Sequence, residues 1–267
     1  MTKVIFMDAS LSDDEMVSQI EVEAENLIPH PLDEVNLDFE RLHPHANDPS
    51  RVDVLLSAAR SESVEARVSA MEIAGLDTKI MDIEAYALGR AVATVAKRQP
   101  ELAEAKLLGV LDIGSRTTTL SILEDGEVAY TREEAFGGEH LNQLIQSAYD
   151  MSVEEAERVK LRGELPGTAS LEVLAPFQTE LLQLARRSLQ LFYTTSGHDG
   201  LDALVITGGT ANLEGLADML REELGFAVQV ADAFAGMKVS GDVNKRDLER
   251  YGPAFAVASG LALRSFG

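Results

Sequence analysis

The sequence contains no cysteine and no tryptophan. Without cysteine there is no disulfide framework and no thiol chemistry, which suits a reducing compartment. Aromatic residues make up only 5% of the chain, so aliphatic side chains and alanine must do most of the packing. Basic residues are scarce: 23 lysines and arginines face 45 aspartates and glutamates, a formal net charge of −22. Nucleic acid and anionic lipid are poor partners for such a chain, because both are polyanions. The acids are spread along the sequence, the pattern of a solvated surface. No apolar run reaches the roughly eighteen residues of a membrane span. The N-terminus lacks the basic stretch and apolar core of a signal peptide. A cytoplasmic protein without direct membrane insertion is expected. What is present, 45% hydrophobic residues in a chain of 267, supports one large domain or two ordinary ones.

The first eighty residues alternate between the two periodicities. Residues 3–7 read as a strand, and Ser12 with Glu15 is a capping box opening a helix to about Leu27. Pro29 and Pro31 end it. Residues 35–41 and 52–59 alternate as strands around a Pro/Asn/Asp-rich loop at 43–49. A helix at 62–74 stops at Gly75, and residues 78–83 return as a strand. The order βαββαβ predicts an α+β module with two helices on one sheet face. Residues 84–98 follow as an amphipathic helix. Further helices are predicted at 140–149, at 153–161 behind the Ser152/Glu155 capping box, at 171–193, and at 253–264, where small residues suit close packing.

Two segments carry chemistry. In LDIGSRTTTL (111–120), a strand ends at an acidic residue, turns through Gly114, Ser115 and Thr117, and leaves again at Thr118. Such a tip lets N–H groups and hydroxyls approach an anionic oxygen, and Asp112 is placed to hold a water or a hydrated Mg²⁺. Asp125-Gly126 then turns the chain into the next strand. In ALVITGGTAN (203–212), a short buried strand runs into Gly208, Gly209 and Thr210 and a helix at 213–224, with Asn212 at the N-cap position. A plain hairpin and a plain strand-to-helix turn have the same composition; two such loops in one chain point toward nucleotide. His43 and His45 beside Asp48 offer too few fixed ligands for zinc. SGHD (196–199) is a polar turn rather than a hydrolase elbow. His140, at a helix start, faces either a ligand or solvent.

Together with LSDDE (11–15), IPHPLDEV (28–35), DFE (38–40), DIEAYAL (82–88), YTRE (130–133), FGG (136–138), MSVEEAE (151–157) and GLALRSF (260–266), these segments resemble the actin-like ATPase superfamily and, within it, the PilM family of type IV pilus assembly proteins. The resemblance implies an α/β, actin-like ATPase (ribonuclease H-like) fold with an incomplete lobe I and an α+β, SHS2-like 1C subdomain. It implies the 1C-like subdomain at 1–78, a remnant of lobe I at 79–105, lobe II at 106–250, and a C-terminal helix returning to lobe I at 251–267. It also implies ATP and Mg²⁺ as ligands. Asp112 would reach the metal through water, and Gly114, Ser115, Thr117 and Thr118 would form the second phosphate loop. Gly137 and Gly138 would flank it, Gly208, Gly209 and Thr210 would form the adenosine motif, and Glu157 and Lys160 would grip ribose and adenine.

The family's first phosphate loop, with its lysine, precedes the point where this sequence starts. ATP binding is therefore expected to be weakened or lost, with an exposed apolar patch where the helices at 84–98 and 253–264 lack a sheet to cover. The partner implied is the cytoplasmic tail of PilN, and through it a link between the inner-membrane alignment complex and the motor ATPases. Slow or no hydrolysis is expected; a small-molecule phosphotransferase is the alternative. No amphipathic membrane-binding helix of the FtsA kind follows Arg264, so attachment to the inner membrane is expected to be indirect, through the partner.

Overall fold

A computed structural model of the protein describes residues 1–45, 48–165, 167, 170–234 and 236–264. The last two residues of the GLALRSF segment lie outside the described residues. The chain divides into two compact units, Met1–Met81 and Asp82–Gly267.

In the first unit, strands β1 (Thr2–Asp8), β2 (Val35–Pro44) and β3 (Arg51–Arg60) form an antiparallel sheet in the order β1-β3-β2. Helix α1 (Asp13–Leu27) opens on the Ser12/Glu15 capping box, with both reciprocal hydrogen bonds made. It sets Met16 and Ile20 against Met7, Val54 and Leu56. Two expectations fail here, at residues 43–44 and 78–83. His43 and Pro44 belong to β2 rather than to a loop. Helix α2 (Ser61–Ile73) buries none of its residues; only Val64 and Val68, one turn apart, provide an apolar stripe, and both are half-buried. Residues 78–83 form no strand. Ile80 and Met81 stay exposed, so the segment buries too little apolar surface to hold a place on a sheet.

The second unit is built on a mixed sheet, β6-β5-β4-β7-β8. Strands β4 (Leu107–Ile113), β5 (Thr118–Glu124) and β6 (Glu127–Glu134) form an antiparallel meander. Its second turn places Asp125 at φ 52° and Gly126 at φ 91°, the double left-handed geometry of a tight hairpin. Strands β7 (Ala203–Thr207) and β8 (Ala227–Val230) run parallel to β4. The strand alternation divides two cores. Leu107, Leu111, Ile113, Leu204 and Ile206 face one core. It is filled by α4 (Gly138–Tyr149), α5 (Val153–Arg162), α6 (Ala175–Ser196) and α7 (Leu216–Leu224). Leu108, Val110, Ala203 and Val205 face the other, with Leu88, Val92 and Ala96 of α3 (Glu84–Ala96).

Against expectation, α3 and the C-terminal helix do have a sheet to cover: this second face. Helix α8 (Lys245–Tyr251) leads through a 3₁₀ turn (Gly252–Phe255) to α9 (Ala256–Ala262), which crosses α3. Phe255, Leu261 and Leu263 remain exposed. Gly260 permits the crossing, because a Cβ there would lie 1.7 Å from the Ala87 carbonyl oxygen. Asp82, its side chain 6% exposed, pairs with both Arg90 and Arg264 and so ties the two helices together. Burial opposes its ionisation, but the Ile83 N–H and the two guanidinium groups reverse that and hold its pKa below the usual carboxylate range. Strand β8, α8 and a π-helical turn at Ser170–Leu174 were not foreseen from sequence.

Alanine at Gly260 should destabilise the protein by about 2–3 kcal/mol, although in an isolated helix alanine gains about 1 kcal/mol over glycine. Urea unfolding of Gly260→Ala measures this; an unchanged midpoint would remove the close crossing of α3 and α9.

Candidate functional site

The hairpin between β4 and β5 closes through a hydrogen bond from the Gly114 N–H to the Thr117 carbonyl, 2.9 Å. Helix α4 docks end-on against it. The first helical N–H groups have no partner within a helix, and here Gly138 donates to the Gly114 carbonyl at 2.9 Å and Glu139 to that of Ser115 at 2.8 Å. A Cβ on Gly137 would stand 2.6 Å from both hairpin carbonyl oxygens, so the approach needs glycine there. The glycine pair thus joins the hairpin to α4, and the Gly138 N–H is already committed. Thr118 is committed as well. It is wholly buried, and its hydroxyl donates to the Phe136 carbonyl at 2.8 Å. Of the hairpin residues expected to meet a ligand, Ser115 is exposed, and Gly114, Thr117 and Asp112 are half-buried.

The parallel ladder pairs Asp112 with Thr207, which brings the second glycine pair alongside. Gly208 has φ +91°, and a Cβ there would lie 2.4 Å from the Ile113 carbonyl and 2.8 Å from Asp112 Oδ1. Only glycine meets both demands. The Thr210 N–H donates to the Ile113 carbonyl at 3.2 Å. Gly209 is exposed and its surroundings are open. The helix does not follow at once: α7 begins at Leu216 behind Gly215. Asn212 is therefore not its N-cap; its side chain donates instead to the carbonyls of Glu249 and Arg250. The segment turns back to satisfy the end of α8, and this delays the helix.

Glu157 and Lys160 stand one turn apart on α5, with Lys160 Nζ 2.7 Å from Glu157 Oε2 and 3.3 Å from the Gly138 carbonyl oxygen. Asn142 of α4 also donates to Glu157 Oε2. Burial opposes ionisation of Glu157, but these two donors outweigh it and lower its pKa. Lys160, Leu161, Gly209, Thr210, Leu213 and Tyr251 line a cavity of about 480 Å³. Three cations (Lys160, Arg162 and Arg250), open glycine backbone, the hydroxyl residues Thr210 and Tyr251 and apolar walls suit a nucleotide. Of the twelve residues expected to bind nucleotide, Lys160, Gly209 and Thr210 line this cavity, and Glu157 and Gly138 adjoin it through their contacts with Lys160.

Asp112 has no side-chain donor among the described residues. Burial, with the Glu84 carboxylate adding repulsion, pushes its pKa up to about 6. A hydrated cation would reverse that shift, so the carboxylate suits one. Glu84 and Asn142 went unremarked in the sequence. The signal for Asn142 was its place in the buried α4 stripe with Leu141 and Ile145. The rival sites do not assemble. His45 pairs with Asp53 at 2.8 Å, and among the described residues no group of three His, Cys, Asp or Glu could hold a metal. His198 lies against Phe192 and Glu124. His140 pairs with Glu180 at 3.0 Å.

A family model described as type IV pilus assembly protein PilM matches residues 1–266. The solved structure of a PilM–PilN type IV pilus biogenesis complex matches 99% of this chain and 76% of that one, at 29% identity and a TM-score of 0.82. The crystal structure of ethanolamine utilization protein EutJ from Carboxydothermus hydrogenoformans matches 78% of this chain and 62% of that one, with 23% identity and a TM-score of 0.55; this likeness concerns the fold. EutJ of Escherichia coli K12 is 30% identical over 115 residues, 43% of this chain and 38% of that protein. The chain thus aligns with less than two thirds of the length of either EutJ protein. The fold is actin-like.

The raised Asp112 pKa has a signed consequence. A carboxyl whose folded pKa lies above its unfolded value of 3.8 favours the folded state while protonated and opposes it once ionised. Stability is lost as pH rises from about 4 to about 6, by about 3 kcal/mol. Asp112→Asn should therefore raise the urea midpoint above pH 6.5, with the gain vanishing below pH 4. A gain that does not vary with pH contradicts the assignment.

Proposed function

The chain belongs to the PilM family of type IV pilus assembly proteins, and from this we propose that it is a nucleotide-responsive scaffold of the pilus machine. The observation that carries the reading is the meeting of segments far apart in sequence: Gly208 packs against Asp112 of the hairpin, Gly138 lies against Gly114 and Lys160, and Lys160 lines one cavity with Gly209 and Thr210. ATP with Mg²⁺ is the proposed ligand. Lys160 and the backbone at Gly209 and Thr210 would hold the nucleoside end, and Glu157 the ribose. Ser115, Thr117 and the backbone at Gly114 would face the phosphates, and Asp112 would take a water of the hydrated metal. Gly137, Gly138 and Thr118 act one step back, holding the hairpin in place. Bound nucleotide supplies differential affinity that can bias which arrangement a partner meets.

The partner we propose is the cytoplasmic tail of PilN, supported by the likeness to PilM in its complex with PilN. In this reading residues 1–78 are the 1C subdomain, 79–105 and 251–267 belong to lobe I, and 106–250 form lobe II. No helix among the described residues is long and apolar enough to cross a membrane. The proposed place is the cytoplasmic side of the inner membrane, reached through PilN, with a further link to the motor ATPases. A turnover enzyme is the second reading. The Asp112 pKa, pushed up to about 6, favours it, since a carboxylate of raised basicity can accept a proton in catalysis.

Two measurements test the proposal. Lys160→Met should weaken ATP binding about tenfold, the value of one charge-assisted hydrogen bond, and lower stability in urea by about 1 kcal/mol, because Glu157 loses its cation. Fluorescence polarisation of a labelled PilN tail peptide should show its affinity changing about fivefold or more with saturating ATP. Rapid multiple turnover of ATP, insensitive to the peptide, would overturn the scaffold in favour of the enzyme.

A further inference from the structure

Helix α4 faces the larger core with Leu141, Asn142 and Ile145. Asn142 is only 7% exposed. Its Nδ2 donates to Glu157 Oε2, while its Oδ1 is buried and has no hydrogen-bond partner. The orientation of the amide follows from chemistry: an ionised carboxylate only accepts, so the NH₂ group must face Glu157. A buried amide with one end unsatisfied costs stability, and leucine at this helical position would fill the same space without that cost. The residue is therefore poorly explained by packing.

What Asn142 does is constrain the carboxylate. Glu157 Oε2 receives both the Asn142 amide and Lys160 Nζ, the latter at 2.7 Å, while no hydrogen bond to Oε1 is found among the described residues. Glu157 is otherwise a flexible side chain, 42% exposed, and one i,i+3 ion pair on a helix surface holds a carboxylate only weakly. A second donor, from a different and rigid helix, converts a loose pair into a fixed acceptor.

We propose that Asn142 is a positioning residue: from α4 it fixes the Glu157 carboxylate so that Oε1 remains to accept a hydroxyl of a ribose diol. The assignment rests on the nucleotide reading for its ligand, but not for the Asn142–Glu157 contact itself. Asn142 touches no ligand; it acts through Glu157.

The test uses the full chain with Asn142→Leu, and Asn142→Ala if leucine proves too bulky. The urea midpoint should stay the same or rise. In the ligand-free variant, ¹³C-detected titration should show the Glu157 pKa rising toward the ordinary glutamate value, because one of its donors is gone. ATP affinity should fall about tenfold, while affinity for 2′,3′-dideoxy-ATP should not change. Equal weakening of both nucleotides, or an unmoved Glu157 titration, would overturn the role. If the wild-type chain binds neither nucleotide at millimolar concentration, the nucleotide reading fails. The ligand-free Glu157 titration then decides by itself whether Asn142 positions the carboxylate.

Discussion

The parallel ladder between β4 and β7 is the constraint on which the second unit depends. It pairs Leu108–Asp112 with Ala203–Thr207, strands that no short turn can join. Parallel pairing requires a long crossover, and α4, α5 and α6 are that crossover. It also brings the two glycine-bearing turns to the same end of the sheet, since both follow the carboxyl ends of parallel neighbours. Ligands in open α/β sheets gather at such ends. With the ladder one residue out of register, Gly208 would no longer lie against Asp112 Oδ1, and each strand would present the wrong face to its helices.

Several glycines here serve close packing rather than flexibility. At Gly137, Gly208 and Gly260 an added Cβ would come within 2.6 Å of a backbone oxygen. Gly137 and Gly208 fasten the hairpin to α4 and to the β7 turn, and Gly260 fastens α9 to α3. Polar groups are placed with a similar cost. Asp112 sits where ionisation is disfavoured, and Asn142 keeps a buried carbonyl unsatisfied. Both lie at the candidate site, where local consistency is most often given up for function.

The legible parts of the chain were those with local causes. The Ser12 and Ser152 capping boxes, the Asp125-Gly126 turn and the apolar stripe of α3 depend on neighbours a few residues away, and all of them form. The segments that misled lacked a decisive local cause. Residues 78–83 alternate, but Ile80 and Met81 stay exposed. Asn212 has the right chemistry for an N-cap, but Glu249 and Arg250 take its amide. Thr118 looked like a free hydroxyl because the sequence does not reveal that the Phe136 carbonyl lies against it. Strand β8, of four residues, is too short to announce itself.

From the sequence alone came the residue types of the site, the alternating module at the start and the actin-like family, because composition, capping and motif order are properties of neighbouring residues. Tertiary structure decided which donors remain free. Two of the expected ligand groups, the Gly138 N–H and the Thr118 hydroxyl, are consumed in holding the hairpin. It also decided that the Asp112 pKa is pushed up to about 6, because burial and the approach of Glu84 depend on the packing of α3 against the sheet. And it decided that Glu157 is held from α4 as well as from its own helix, a contact between residues that no local pattern connects.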